Sequence, residues 1–354
     1  SPFFVNHAPT FTAISNNSPV NPGSNVTWTA TASDSDGNTV KLLVCKTNAM
    51  SGGACTGGAW CTSTAVASNP TCSYSVPTPN PDGSNNAYVF VVDQHNLAAT
   101  GATQGSNSAF TVNNVAPVVS NVTLNGGSAI NLVEASTKTV TVTATVTDNN
   151  GCASGEIASV YAYVYRSGIA YTNCDTLAEA NENNCYPQVT CNVEAASCTG
   201  PGDASANYTC TINMQYFAEP TDTGTPYDAQ NWLATVKATD NNSATHNLEV
   251  ATGQEVNSLT AFAISPGTID YGQLAVLGRN DPLDKILTTT ATGNVGLDQS
   301  HYGSANMCTN FSICSGGTPI PVGKQKYALA ASTAYASGTA LTTTAVEVEL
   351  NVPK

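Results

Sequence analysis

A chain of 354 residues has room for two or three modules of ordinary size. Charged residues make up only 10% of it, against about 25% in an average soluble protein, and Thr, Ser, Asn and Gly, which suit exposed strands and turns, take their place. The formal net charge of −14 argues against nucleic acid and anionic membrane surfaces as partners, because both are bound through Lys and Arg; nor is there a run of about 18 apolar residues to span a membrane.

The chain starts with an apolar extension, residues 1–7, whose Phe3, Phe4 and Val5 lie together without a carboxylate, Lys or Arg among them. Leaving such side chains in water is costly. They are expected to fold back on the first module or to add as a donor strand to a neighbouring copy. A first module is predicted over 8–115. It opens at Ala8-Pro9-Thr10-Phe11, and residues 25–34 alternate apolar with polar before stopping at Asp, as a half-buried strand entering a turn does. A second module is predicted over 116–256. It repeats the Ala-Pro opening, the alternating run (138–148) and a later strand ending at Asp (232–240, beside 87–93 in the first). Residues 116–256 also hold three basic and fourteen acidic residues, so this segment carries −11 of the net −14. A third module, 257–354, is expected to be a β-sandwich ending in a well-packed strand at 346–352, where the alternation is unbroken.

The twelve cysteines fall into even groups: Cys45, Cys55, Cys61 and Cys72; Cys152, Cys174, Cys185, Cys191, Cys198 and Cys210; Cys308 and Cys314. No Cys-x-x-Cys occurs, so disulfides are expected rather than zinc. Pairing within the groups of four and six stays open, while Cys308 and Cys314 most simply close a short loop. Persistent disulfides require an oxidising compartment. The chain is therefore expected outside the cell, with Ser1-Pro2 as the mature start left by a cleaved signal peptide.

Catalytic motifs are weak. Asp222-Thr223-Gly224 matches an aspartic-protease tag, but that chemistry needs two such carboxylates and only one copy exists. His7, His95, His246 and His301 lie in no metal or triad pattern, and an enzyme is not expected. No cofactor is expected beyond Ca2+. The candidate ligands are Asp34, Asp36 and Asn38, which alternate around Gly37 as a cation-wrapping loop does; an ordinary Asp/Asn/Gly turn is the other reading. Asp148-Asn149-Asn150-Gly151 and Asp240-Asn241-Asn242 occupy comparable turns. The acceptor pattern for N-glycosylation occurs at Asn16, Asn25, Asn121, Asn207, Asn241 and Asn310. Tyr161, Tyr163, Tyr165 and Tyr171 offer either an aromatic platform for a sugar or part of a core.

The Ala-Pro openings, TATASDSDGN at 29–38 and TATVTDNNG at 143–151 resemble immunoglobulin-like modules of the cadherin-like and polycystic-kidney-disease-like kind, strung along microbial surface proteins. IDYGQL at 269–274 and TGNVGLD at 292–298 resemble a C-terminal β-sandwich module of secreted archaeal and bacterial proteins. The resemblance covers most of the chain. It implies an all-β fold of tandem immunoglobulin-like β-sandwich domains, here stabilised by disulfides, and a place on the cell exterior. The expected role is the repeating subunit of a surface filament or pilus-like fibre, a homopolymer assembled head-to-tail by β-strand addition. Glycans and other surface components are expected as further partners. The rival expectation is an adhesin or surface-layer component that binds carbohydrate or another cell.

Overall fold

The computed structural model describes residues 5–153, 155–272, 278–279, 284–308 and 319–354. Phe3, Phe4, Asn310 and Cys314 lie outside these ranges.

Apart from a two-residue pair, Met50–Ser51 with Ala54–Cys55, the strands of the first unit are β1 (Thr10–Asn16), β2 (Asn25–Ser33), β3 (Val40–Cys45), β4 (Ala59–Thr62), β5 (Thr71–Ser75), β6 (Gly83–Asn85), β7 (Tyr88–Asp93) and β8 (Phe110–Val112). They form sheets ordered β1-β2-β5 and β4-β3-β7, with β8 pairing β6. The alternation in β2 puts Val26, Trp28, Ala30 and Ala32 inward, all buried. Val40, Leu42, Val44, Val89 and Val91 meet them from the other sheet. Trp28 stands edge-to-face with Phe110 at 5.6 Å and donates its indole N–H to the Ser108 carbonyl at 3.0 Å. Its one polar atom is thereby satisfied inside an apolar core.

The second unit repeats the plan with longer strands: β9 (Val118–Leu124), β10 (Thr137–Thr147), β11 (Ile157–Arg166), β12 (Cys185–Thr190), β13 (Asn192–Val193), β14 (Ser205–Gln215), β15 (Trp232–Asp240) and β16 (Thr245–Glu249). Two four-stranded sheets, β9-β10-β14-β13 and β12-β11-β15-β16, face one another. β10 and β14 pair without a break from Thr137↔Gln215 to Thr147↔Ser205. Val140, Val142, Ala144 and Val146 point into the core, while threonines line the outer face and bond across strands, as Thr145 Oγ1 does to Asn207 Oδ1 at 3.0 Å. The principal core of the first unit draws on residues from Phe11 to Val112, and that of the second on residues from Val119 to Val256. The fold is thus all-β, with immunoglobulin-like sandwiches in tandem.

Five disulfides staple them: Cys45–Cys55, Cys61–Cys72, Cys152–Cys198, Cys174–Cys185 and Cys191–Cys210. Cys61–Cys72 joins β4 to β5 and so links the two sheets of the first unit. Cys308 is disulfide-bonded as well.

The third unit departs from expectation. Among the described residues its longest pairing is β17 (Phe262–Ser265) with β18 (Thr288–Ala291). The expected strand over 346–352 is reduced to Val346–Glu347, paired with Ser300–His301, and an isolated bridge from Val352 to Leu297. Glu349 breaks the extended run at φ +53°, and Val346 stays 46% exposed. Alternation makes a buried strand only where a second sheet covers one face. Among the described residues of this unit, Ala261, Ala291, Val322 and Val348 are the buried apolar side chains, and they build no core cluster. The sandwich expected over 257–354 does not close within the described residues.

Candidate functional site

The chemistry-bearing side chains gather where the first unit meets the second. β10 runs into Asp148, and β15 ends on Asp240. Each carboxylate folds the turn after it: Asp148 Oδ1 accepts the Asn150 N–H at 2.8 Å, and Asp240 Oδ1 accepts those of Asn242 at 2.9 Å and Ala244 at 2.7 Å. That explains the repeated strand-then-Asp signal.

These turns meet the linker and the 80–83 loop of the first unit. Asn80 donates its N–H to the Asn149 carbonyl at 3.0 Å. Asn150 is 1% exposed and uses its whole amide. Its Nδ2 donates to the carbonyls of Asn80 and Asn113, each at 3.0 Å, and its Oδ1 accepts the Val115 N–H at 2.7 Å. Three more amides each grip a carboxylate: Asn114 Nδ2 on Asp240 Oδ2 at 2.9 Å, Asn242 Nδ2 on Asp82 Oδ2 at 2.8 Å, and Asn241 Nδ2 on Glu156 Oε2 at 3.0 Å.

Four carboxylates therefore share this junction: Asp82, Asp148, Glu156 and Asp240. Asp148 is 0% exposed and Asp240 2%. Burial pushes the Asp148 carboxyl above its ordinary range, the Asn150 N–H opposes this, and repulsion from Asp240 and Asp82 adds to it. Burial likewise raises Glu156, helped by Asp82, Asp148 and Asp240 and opposed by the Asn241 amide. The charges that raise these two groups are other carboxylates. Asp148 Oδ2 and Asn114 Oδ1 are buried without a hydrogen-bond partner.

The residues singled out for Ca2+ do something else. Asp36 accepts the His7 main-chain N–H at 2.6 Å and its ring Nδ1 at 2.8 Å, and the main-chain bond does most to hold the Asp36 carboxyl below its ordinary range. Asn38 donates to Asn6 Oδ1 at 2.6 Å and accepts from Gln94 at 2.7 Å. Asp34 Oδ1 caps the Asp36 N–H at 2.8 Å, while its Oδ2 has no partner. This turn ties residues 6–7 to the first unit. Among the described residues, no three His, Cys, Asp or Glu side chains form a ready metal-holding group.

Other candidates sort by burial. The tyrosine platform is corrected: Tyr163 and Tyr165 are 3% and 2% exposed and pack against Cys174 and Cys185. Burial pushes the Tyr163 phenol up to about 12. Asn16 is corrected as a sugar acceptor, since its Nδ2 donates to the Ser108 and Ala109 carbonyls at 3.2 and 3.1 Å. Asn241 is exposed but donates to Glu156 at the junction, and Asn25, Asn121 and Asn207 are exposed as well. Val5 is 71% exposed. The role of Asp82 was not singled out in the sequence; its only signal there is a polar, Pro-flanked loop.

The class of protein these features define is a disulfide-stapled chain of immunoglobulin-like sandwiches. No protein-family model matches the chain, and no curated protein sequence matches it. Solved structures do match. Dimeric latent PorU from Porphyromonas gingivalis is 14% identical over 73% of this chain, at a TM-score of 0.22, and the match spans only 25% of PorU. The FN1–FN3 domains of chicken CNTN1 are 6% identical over 71% of this chain and 69% of theirs, at 0.21. A marsupial T cell receptor is 9% identical over 72% of this chain and 77% of its own, at 0.24. Likeness at this level says nothing about activity; the fold assignment stands on strand order and cores.

Proposed function

We propose that the chain is an extracellular structural protein, the repeating subunit of a cell-surface filament. In this reading Phe3, Phe4 and Val5 of one copy add as a strand to the third unit of the next. The observation that carries it is that the third unit closes no sandwich among its described residues. β17 and β18 form a two-stranded sheet, which is marginal alone in water. Around it Phe262, Ile264, Ile286 and Leu287 are exposed, Ile286 at 61%. An added strand would cover such side chains and pair an open sheet edge. Asn6 and His7 are held by Asp93 and Asp36, which anchors the base of the extension. A contact from one end of a subunit to the other end of its neighbour does not close on itself, and it propagates as a fibre. Five disulfides suit a protein folded in an oxidising compartment. Asn25, Asn121 and Asn207 are the positions where glycans would be carried. The reading gives the chain no catalytic role.

Negative-stain electron microscopy of the intact chain beside one lacking residues 1–7 tests this. Fibres from the first and single particles from the second are expected. Single particles from both would overturn the filament reading and favour the adhesin.

A further inference from the structure

We propose that residues 3–5 of one copy take the last-strand position in the third unit of a neighbouring copy, with Phe4 turned inward and Ile269-Asp270 as the segment that receives them. The inference rests on the filament reading and adds to it a register and a seat.

The junctions inside the chain supply the pattern. At the first, Asn113 donates its N–H to the Val20 carbonyl at 2.8 Å and its Nδ2 to Asn21 Oδ1 at 2.9 Å. Asn150 of the second unit then holds the Asn113 carbonyl and the Val115 N–H. At the second, Asn257 donates its N–H to the Ile130 carbonyl at 3.0 Å and its Nδ2 to Asn131 Oδ1 at 2.7 Å. Asn294, 1% exposed, holds the Asn257 carbonyl at 3.1 Å and the Leu259 N–H at 2.6 Å. One connector is thus built twice. In each, a buried valine, Val112 or Val256, precedes the Asn and bridges Val20 or Ile130. The residue before that valine, Thr111 or Glu255, is exposed, as strand alternation requires.

Residues 6–9 form one half of the same connector. Asn6-His7-Ala8-Pro9 stands in the order of Asn114-Val115-Ala116-Pro117. Asn6 Nδ2 bonds Asp93 at the end of β7 at 2.6 Å, as Asn114 Nδ2 bonds Asp240 at the end of β15 at 2.9 Å. The His7 N–H reaches Asp36 at 2.6 Å, as the Val115 N–H reaches Asn150 at 2.7 Å. Asp36 and Asn150 each donate their own N–H to the Asp two residues before, at 2.8 Å. On that correspondence Val5 takes the place of Asn113, Phe4 of Val112 and Phe3 of Thr111. Phe4 is then the side chain that enters a core, and Phe3 and Val5 face outward.

The third unit carries the matching seat. Ile269-Asp270-Tyr271-Gly272 follows the order of Val20-Asn21-Pro22-Gly23, and both glycines have positive φ, +65° and +82°. Val20 and Ile130 are 7% and 0% exposed beside their last strands, whereas Ile269 is 39% exposed and pairs with no strand among the described residues. The unit's own closing run at 346–352 pairs with residues 297–301 instead. A strand from another copy would cover Ile269 and bond its main chain.

The test follows the full chain by negative-stain electron microscopy and size-exclusion chromatography with light scattering. Phe4→Glu and Ile269→Asp should each abolish assembly. Phe3→Glu should keep it, because Glu255 already occupies the matching exposed position. Mixing the Phe4→Glu and Ile269→Asp chains should give two-chain dimers and nothing longer, since one intact strand then meets one intact seat. Fibres from Ile269→Asp, loss of assembly in Phe3→Glu, or a mixture that stays monomeric would overturn this register and seat while the filament reading stands. A parent chain that forms no fibres would overturn both.

Discussion

Arg166 and Glu219 show how much one residue's surroundings decide. Both are nearly buried, and Arg166 Nε meets Glu219 Oε2 at 2.7 Å while its guanidinium lies over the Tyr227 ring at 3.8 Å. Glu219→Ala leaves a buried cation unpaired and is expected to cost about 3 kcal/mol. Replacing both residues with apolar ones of similar size should cost less. Urea unfolding of the single and double variants checks this. Acid–base behaviour belongs to the same scale. Asp148 and Glu156 have carboxyls raised above 3.8 and 4.5 in the folded chain, so the folded state holds protons more tightly than the unfolded one. Their contribution is present below those values and is lost as pH rises through the folded ones. Unfolding free energy should therefore fall as pH climbs from 4.5 upward, and Asp148→Asn should flatten that slope. Asp36 and Asp203 are lowered below 3.8, so their stabilisation is lost in the range beneath it and does not overlap.

At the scale of elements, stability sits in long paired strands and the links between them. Trp232 on β15 is 0% exposed and donates its indole N–H to the Glu219 carbonyl at 2.9 Å. Trp232→Ala removes that packing and bond and is expected to destabilise the second unit by about 3–5 kcal/mol, read as a shifted unfolding midpoint. Cys152–Cys198 closes the longest disulfide loop in the second unit, 46 residues apart. Replacing both with Ser should cost about 4 kcal/mol on loop-entropy grounds, against about 3 kcal/mol for the Cys174–Cys185 pair, separated by 11. Calorimetric Tm values would rank them. Much of β2, β10 and β15 was legible beforehand, because period-two alternation on a strand with one covered face needs no long-range information. The run at 346–352 has the same alternation and fails, since the described residues place no second sheet over it and Glu349 turns the backbone at φ +53°.

For the whole molecule, assembly is the quantity to measure. In the filament reading, Phe4→Glu puts a charge where an apolar side chain must be covered. It should abolish fibres seen by electron microscopy while leaving the Tm of the first two units unchanged, because Phe4 precedes the opening of the first module at Ala8 in the chain. If fibres persist, the extension is not the coupling strand. The sequence by itself determined the β class, the disulfide chemistry and the turns that follow Asp34, Asp148 and Asp240. These rest on local periodicity, spacing and turn preference, which act between near neighbours in the chain. Only the tertiary structure decided which cysteines pair, that Tyr163 and Tyr165 are core, that Asp36 and Asn38 hold residues 6–7, and that Asp82 stands with Asp148 and Asp240. Those outcomes depend on burial and on contacts such as Asn242 to Asp82, 160 residues apart in the chain, and no local pattern encodes a distance closed by folding.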